Sequence, residues 1–332
     1  MTKLSIAMCT YNGAEYLREQ LDSFAAQSVL PDELIVCDDG STDATVAILK
    51  EFAASAAFAV KIYENERNLG YIKNFEQAIG LCTGEIIFLS DQDDVWHAEK
   101  LKMFADAFDA DASVGMVFCD GELVDERLDS LGAGAWQARL FDEKKRSQLE
   151  SGGGLEIILK DNVVSGCMMA FRARYLNNIL PIPTDIPGVI HDYWITIILL
   201  TETKVKIFPQ KLVKYRQHSR QQLGLSSEEP GTLREQAAKN YDFPQQQQKY
   251  EQLSEYLSRR FDALPLENQQ KRKIVLSEVE RQIKHFRARV NIADKKTRRA
   301  RLIFDELISR RYHKYSNGWR SAAKDLSLYL TK

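Results

Sequence analysis

Ile86-Ile87-Phe88-Leu89-Ser90-Asp91-Gln92-Asp93-Asp94 is the stretch that decides how this chain is read. Four apolar residues in succession, a serine and then three carboxylates describe a buried strand that runs out into an acidic loop. Open α/β sheets bind ligands beyond the carboxyl ends of their strands, so these carboxylates stand on ligand-binding ground. Two of them one residue apart can hold a hard divalent cation, and that cation can hold a diphosphate. The same residues also suit a solvated turn or a helix N-cap. A calcium loop of the EF-hand type is excluded. Counted from Asp91, its glycine position holds Trp96 and its closing glutamate position holds Lys102.

Upstream, the apolar run 4–9 gives way to Thr10-Tyr11-Asn12-Gly13, a strand followed by a polar loop. Leu17, Leu21 and Phe24 recur at helical spacing. Leu34–Cys37 is a second buried strand and leads into Asp38-Asp39-Gly40-Ser41-Thr42-Asp43, which caps a helix over Thr45–Phe52. A shorter strand, Val60–Tyr63, precedes Asn65–Gly70 and a helix over Ile72–Leu81. Strands alternating with helices at these intervals predict a parallel sheet with right-handed crossovers. Polar clusters follow the first, second and fourth strands, so all three gather on one rim.

Downstream, the pattern predicts a helix over Ala98–Asp109 and a strand Val114–Cys119 ending at Asp120. Residues 121–153, glycine-rich in places, read as loops over an acceptor site. Ser165–Phe171 reads as a buried strand, and His191-Asp192-Tyr193-Trp194 opens an apolar helix to about Leu200. Val205–Phe208 and Leu212–Tyr215 read as short strands, the second ending in Arg216-Gln217-His218. Asp192 is either an ordinary acidic residue in a helix's first turn or a general base. His218 is either a surface or core histidine or a metal ligand. Asp38-Asp39 is either a helix cap or a hold on a pyrimidine imide and ribose hydroxyls.

The chain has 332 residues, 44% apolar and 28% charged, as expected of a globular protein. Its net charge of −2 hides an asymmetry. Residues 267–332 hold 18 Lys and Arg against 7 Asp and Glu, a net of +11, which leaves −13 on the rest. An acidic body with a basic tail points to an anionic partner for the tail. Composition changes near Ser226, so the expected domains are 1–225 and 226–332. The second has amphipathic helices with Tyr250, Leu253, Leu257 and Phe261 on one, and Val275, Val279, Ile283, Phe286 and Val290 on the next. The run from Lys295 to Arg301 suits anionic lipid, at roughly 1 kcal/mol per charge near the surface. No nucleic-acid motif accompanies it. No apolar run reaches membrane-spanning length, and the amino terminus has no long h-region. The expected location is cytoplasmic, or peripheral at the inner face of the cell membrane. Five widely spaced cysteines read as buried thiols.

Taken together, these motifs resemble glycosyltransferase family 2, inverting enzymes with the GT-A fold, over about residues 3–222. The resemblance implies an α/β fold with a mainly parallel mixed sheet flanked by helices, followed here by a C-terminal helical extension. It implies that Thr10, Tyr11, Asn12 and Asp39 hold the pyrimidine and ribose, with Asn68, Gly70 and Lys73 completing that pocket. Asp91-Gln92-Asp93 matches the family's Asp-X-Asp signature, which puts Asp91 on the nucleotide side and makes Asp93 the principal ligand of Mg²⁺ or Mn²⁺. Asp192 stands where the family has its base, preceded by a histidine rather than the common glutamate. Tyr215-Arg216-Gln217-His218 resembles the late motif whose histidine completes the metal shell. Many relatives have an asparagine a few residues on, where this chain has Gln221-Gln222. Asp120, Trp96, Gly166 and Trp194 are further positions expected at the acceptor side or beside these motifs.

The wording of these motifs resembles the bacterial branch assigned to rhamnosyl transfer in surface polysaccharide assembly. The implied donor is dTDP-rhamnose, or a UDP-hexose, and the implied acceptor a glycan or lipid-linked oligosaccharide. Two alternatives stand beside this reading. A nucleotidyltransferase would carry a Gly-rich, Arg/Lys-containing loop after the first strand, which Thr10–Gly13 is not. A non-catalytic sugar-nucleotide-binding scaffold would not need Asp192.

Overall fold

The computed structural model describes residues 2–221, 242–294, 299–316 and 318–330. The composition change near Ser226, Gln222 and the basic residues 295–298 lie outside the described residues. Nine strands form one sheet: β1 Leu4–Thr10, β2 Glu33–Asp38, β3 Ala59–Glu64, β4 Ile86–Ser90, β5 Val95–Trp96, β6 Val114–Val124, β7 Ser130–Gly134, β8 Met169–Arg172 and β9 Lys204–Arg216. Their order is β3-β2-β1-β4-β8-β6-β9-β5, with β7 added to β6. The first four run parallel, and β8 is antiparallel to both β4 and β6.

β2 and β4 are buried at every residue, which is why they read as unbroken apolar runs rather than alternating ones. β3, at the edge, has exposed and half-buried residues instead. Leu17, Leu21 and Phe24 of the helix Leu17–Ala25 pack into the main core with Leu49, Phe88 and Phe104. Register sets Thr10 opposite Asp38 and Met8 opposite Ser90, so the carboxyl ends of β1, β2 and β4 share the expected rim.

Three expectations change. The strand from Val114 continues through Asp120 to Val124, and residues 121–153 are not simply loops. They add β7 and the helices Ala135–Ala138 and Glu143–Glu150. The two short strands expected around 205–215 are one strand, β9, running parallel to β6. Its pairing jumps from Cys119↔Phe208 to Asp120↔Lys211, a bulge that absorbs Pro209, which has no N–H to donate. Ser165–Phe171 is only partly a strand, because Gly166–Met168 make a 3₁₀ turn before β8. All five cysteines are free; Cys37, Cys119 and Cys167 are buried, Cys9 and Cys82 half-buried.

The chain divides into two compact units. One comprises Met1–Gly154, Asn162–Thr184 and Ile190–Ser227 and holds the sheet. The other comprises Leu155–Asp161, Asp185–Val189 and Glu228–Lys332, so two short earlier segments join the C-terminal region. Within it, the helix Phe243–Asp262 buries Tyr250, Leu253, Leu257 and Phe261, and the helix Gln269–Asp294 buries Val275, Val279, Ile283 and Phe286, with Val290 half-buried. Its interior is also charged. Arg289 donates Nε and NH2 to Asp325 at 2.9 and 3.0 Å, and His285 bonds Glu306 at 2.6 Å. Such pairs are tolerated inside only when both partners are bonded, as here. Among the described residues no helix is long and apolar enough to cross a membrane.

Candidate active site

A cleft of about 410 Å³ opens on the rim where β1, β2 and β4 end. Its floor is three loops tied together by side chains. Asp38, buried, accepts from Thr10 Oγ1 at 2.7 Å and from the Ser41 hydroxyl and amide at 2.6 and 2.8 Å, which joins β1 to β2. Asn12 takes a left-handed backbone (φ 46°), donates its amide to Ser41 Oγ and accepts from Thr42 N through Oδ1. Asn tolerates that conformation better than most residues. Gln92 pairs both ends of its amide with the Tyr11 backbone, at 2.8 and 3.0 Å. The loop is fixed at both polar groups of Tyr11 while its ring stays exposed, a surface on which a base can stack.

Asp39 faces the cleft, but its carboxylate already accepts from Asn65 Nδ2, Leu69 N and Gly70 N at 2.7–2.9 Å. It therefore shapes the loop 65–70 as well as lining the pocket. Asn68 reinforces the same turn through Asp39 O and Gly70 N. Gly70 supplies the positive φ of 79° that the turn requires.

The acidic loop divides by environment. Asp93 reaches His218, Oδ2 to Nε2 at 2.8 Å, and both line the cleft. The Arg220 amide donates to His218 Nδ1 at 3.3 Å, so the proton sits on Nε2 in this arrangement. Asp91 also lines the cleft; loss of solvation and the neighbouring Asp93 and Asp192 carboxylates push it up to about 7. Asp94 points away into the interior, fully buried, and accepts from Arg216 N at 3.1 Å. Burial and the adjacent Asp93 and Asp91 hold its carboxyl far above the usual range.

Two buried cations sit behind this loop. Arg216 donates Nε to Asp93 O at 2.7 Å, NH1 to Glu126 O and NH2 to Glu19, and lies 4.5 Å over the Tyr16 ring. Lys100 donates to Cys167 O at 2.5 Å and stands 3.2 Å over the Trp96 ring, its ammonium pushed down to about 8 by burial.

Also lining the cleft, Asp192 lies in the first turn of the helix His191–Glu202. Its Oδ1 accepts from Asn162 Nδ2 at 2.7 Å and from its own helix at Tyr193 N at 2.6 Å; Oδ2 accepts from Gly166 N at 3.0 Å. A carboxylate held by three N–H groups is fixed in direction. His191 stacks on Phe75 with centroids 4.0 Å apart, and neither ring nitrogen has a partner among the described residues. Asn162 Oδ1 is likewise buried without a partner among the described residues.

Of the residues singled out in the sequence, Thr10, Tyr11, Asn12, Asp39, Asn68, Asp91, Asp93, Gly166, Asp192 and His218 line this one cleft. Gly70 serves it through the backbone. Four others are not brought to it. Lys73 is held by Glu76 at 2.8 Å. Trp96 is a core residue against Phe24 and Phe88. Trp194 is buried, with Nε1 donating to Ile179 O. Asp120 accepts from Gly121 N and Trp136 N, joining β6 to the helix at 135. Conversely, Gln92, Asn162 and Arg216 were passed over as site residues. Gly13 was the available signal for Gln92, since a Cβ there would come within 2.1 Å of its Oε1. Asn162 lies in a stretch with no periodicity to mark it.

Two donor sets could be considered for a cation. Asp91, Asp94 and Cys167 have atoms within 4.8 Å of one another, but burial keeps the Cys167 thiol protonated and Asp94 is closed off from the cleft. Asp93 with His218 offers a carboxylate oxygen and an imidazole nitrogen facing each other in the cleft, donors that suit Mn²⁺ and, through oxygen, Mg²⁺.

A mainly parallel sheet with acidic residues at the rim of β4 and a fixed carboxylate across the cleft is the arrangement of the GT-A fold, and solved structures of that fold align along nearly the whole chain. S. aureus TarS 1–349, solved with UDP-GlcNAc, aligns over 98% of this chain and 91% of its own at a TM-score of 0.56 and 19% identity. The Pyrobaculum calidifontis mannosyltransferase PcManGT, solved with GDP-Man and Mn²⁺, aligns over 100% and 86% at 0.54 and 18%. The model of glycosyl transferase family 2 matches residues 5–180, and the chain belongs to that family. The dTDP-rhamnosyl transferase RfbG of Shigella flexneri is 36% identical over 99 residues, 29% of this chain and 34% of RfbG. The chain spans about 29% of the length of the curated relatives it matches first.

Proposed function

We propose that this glycosyltransferase moves a sugar from a nucleoside diphosphate donor to a hydroxyl of a glycan or lipid-linked acceptor, with inversion and with a divalent cation. The observation that carries the reading is Asp192, held by Asn162, Gly166 and its own helix, in the same cleft as the facing pair Asp93 and His218. In the step, the acceptor oxygen forms a bond to the anomeric carbon as that carbon's bond to the diphosphate oxygen breaks. The hydroxyl proton passes to Asp192, so the attacking oxygen becomes nucleophilic as it approaches. The electron pair of the broken bond leaves with the diphosphate.

Asp93 and His218 would hold Mg²⁺ or Mn²⁺, which when bound supplies Lewis-acid stabilisation of the departing diphosphate. Tyr11, Asn12, Asp39 and Asn68 bind and orient the nucleoside, and Asp91, which lines the same cleft, serves the nucleotide side. The donor favoured is dTDP-rhamnose, with a UDP-hexose as the other choice. Support for it is the likeness to RfbG over 99 residues, and the process is surface polysaccharide synthesis. We assign transfer to 1–225 and give the helical region 226–332 a contact with an anionic membrane surface, peripheral at its inner face.

Asp192→Asn tests the catalytic assignment. It should keep nucleotide-sugar binding, measured by calorimetry with Mn²⁺, and lower turnover by about 10²–10⁴-fold. Transfer close to the wild-type rate would remove Asp192 from the mechanism. Binding of no dTDP- or UDP-sugar by the wild-type chain would remove the donor assignment.

A further inference from the structure

The helix Arg299–Ile308 turns Ile303 inward against Ile292, Tyr312 and Ala322. At 100° per residue its opposite side carries Arg301, Phe304, Asp305 and Ile308. Phe304 and Ile308 are 60% and 66% exposed. The helix Trp319–Leu330 does the same: Ser321, Ala322 and Asp325 are buried, while Trp319 and Leu326 stand out at 68% and 45% exposure. Two helices of one unit, separated by the short helix Arg311–Tyr315, thus each present large apolar side chains to solvent, one turn or two apart, with Arg301, Arg310 and Arg320 also exposed. Scattered single apolar residues need no explanation, but paired stripes among arginines do.

We propose that this surface inserts into the interfacial region of an anionic bilayer, with Phe304, Ile308, Trp319 and Leu326 entering the acyl boundary. The charge of the segment chooses the occupant. Residues 267–332 carry a net +11, so a second copy of the same surface would be repelled, whereas a negatively charged leaflet is attracted. Tryptophan and phenylalanine beside arginines match the amphipathic requirement of a headgroup layer. The inference deepens the membrane contact proposed above: that contact needs only charge, whereas this one needs the four apolar side chains.

The test is co-sedimentation of the full chain with vesicles of phosphatidylcholine, with and without about one third phosphatidylglycerol. Wild type should bind the anionic vesicles and not the neutral ones. Phe304→Ser/Ile308→Ser/Trp319→Ser should weaken that binding by about tenfold or more while keeping the far-UV dichroism of wild type. A second readout needs no variant. Trp96, Trp136 and Trp194 are buried, so a blue shift of emission on adding anionic vesicles reports Trp319. Equal binding by the triple variant with no blue shift would leave a purely electrostatic contact and overturn the insertion. Binding to no vesicle would overturn both it and the membrane contact. A wild-type dimer that the triple variant converts to monomer would assign the surface to a second copy instead.

Discussion

His218 Nε2 stands 2.8 Å from Asp93 Oδ2, although 125 residues separate them in the chain. A hydrogen bond joins them in this arrangement, and a divalent cation would take the place of its proton. His218→Ala should therefore raise the Mn²⁺ concentration needed for half-maximal nucleotide binding by about 10–100-fold, comparable to losing a metal-site group elsewhere. Calorimetric titration with Mn²⁺ held at several concentrations would measure it. Unchanged Mn²⁺ dependence would take His218 out of the metal shell.

Asn162 holds the proposed base, Asp192. Its Nδ2 donates to Asp192 Oδ1 at 2.7 Å, and removing it leaves the carboxylate held only by Tyr193 N and Gly166 N. Asn162→Ala should lower kcat by about 10–100-fold, because small misplacements of reacting groups carry penalties of that order. Affinity for the free nucleoside diphosphate should stay within about twofold. Loss of diphosphate affinity with unchanged kcat would place Asn162 in nucleotide binding instead.

Gln92 fastens the Tyr11 loop to the acidic loop through two hydrogen bonds. Gln92→Ala keeps every carboxylate and removes only this fastening. Nucleotide affinity should fall by about 1–3 kcal/mol, the order expected for two backbone-directed hydrogen bonds. If binding were unaffected, the bonds of Asn12, Gly13 and Ala14 to the segment 41–45 would be enough to hold the loop.

Glu33 offers a test that leaves the cleft untouched. Burial alone would raise its pKa, but bonds from Lys61, Thr83 and Ser5 at 2.6–2.9 Å outweigh that and hold it at about 2. A carboxyl depressed on folding adds stability above its unfolded pKa and loses it as pH falls toward the folded value. Glu33→Gln should therefore be less stable than wild type at pH about 7, with the gap narrowing from about pH 4.5 down toward pH 2. Urea melts at several pH values would show it, and a gap independent of pH would contradict the assignment.

How far the sequence reveals the site depends on what each residue type announces. β1, β2 and β4 are apolar runs buried on both faces, and each ends in a polar cluster, so both the strands and their common rim are visible in one dimension. β6 is not, because Asp120-Gly121-Glu122 looks like an exit from the sheet. Its pairing with β9 on one side and β7 on the other carries the strand on to Val124. Asp93, Asp192 and His218 stand at element ends where alternatives are few. Trp96, Trp194 and Lys73 carry no mark of direction: the tryptophans face the core and the lysine bonds its own helix at Glu76. Asn162 is legible only once the chain has folded back to Asp192.

Arg216 also sets a condition on the order of synthesis. Its backbone and side chain tie down Asp93 and Asp94, which leave the ribosome more than 120 residues earlier. Until it emerges, the Asp94 carboxylate lacks the backbone N–H it accepts from and the Asp93 carbonyl lacks its guanidinium partner, and one edge of β6 waits for β9. A chain interrupted just before that arginine holds the loops at the ends of β1, β2 and β4 and lacks both this tie and His218. Under the mechanism proposed above, such a truncated product lacks the means to begin transfer.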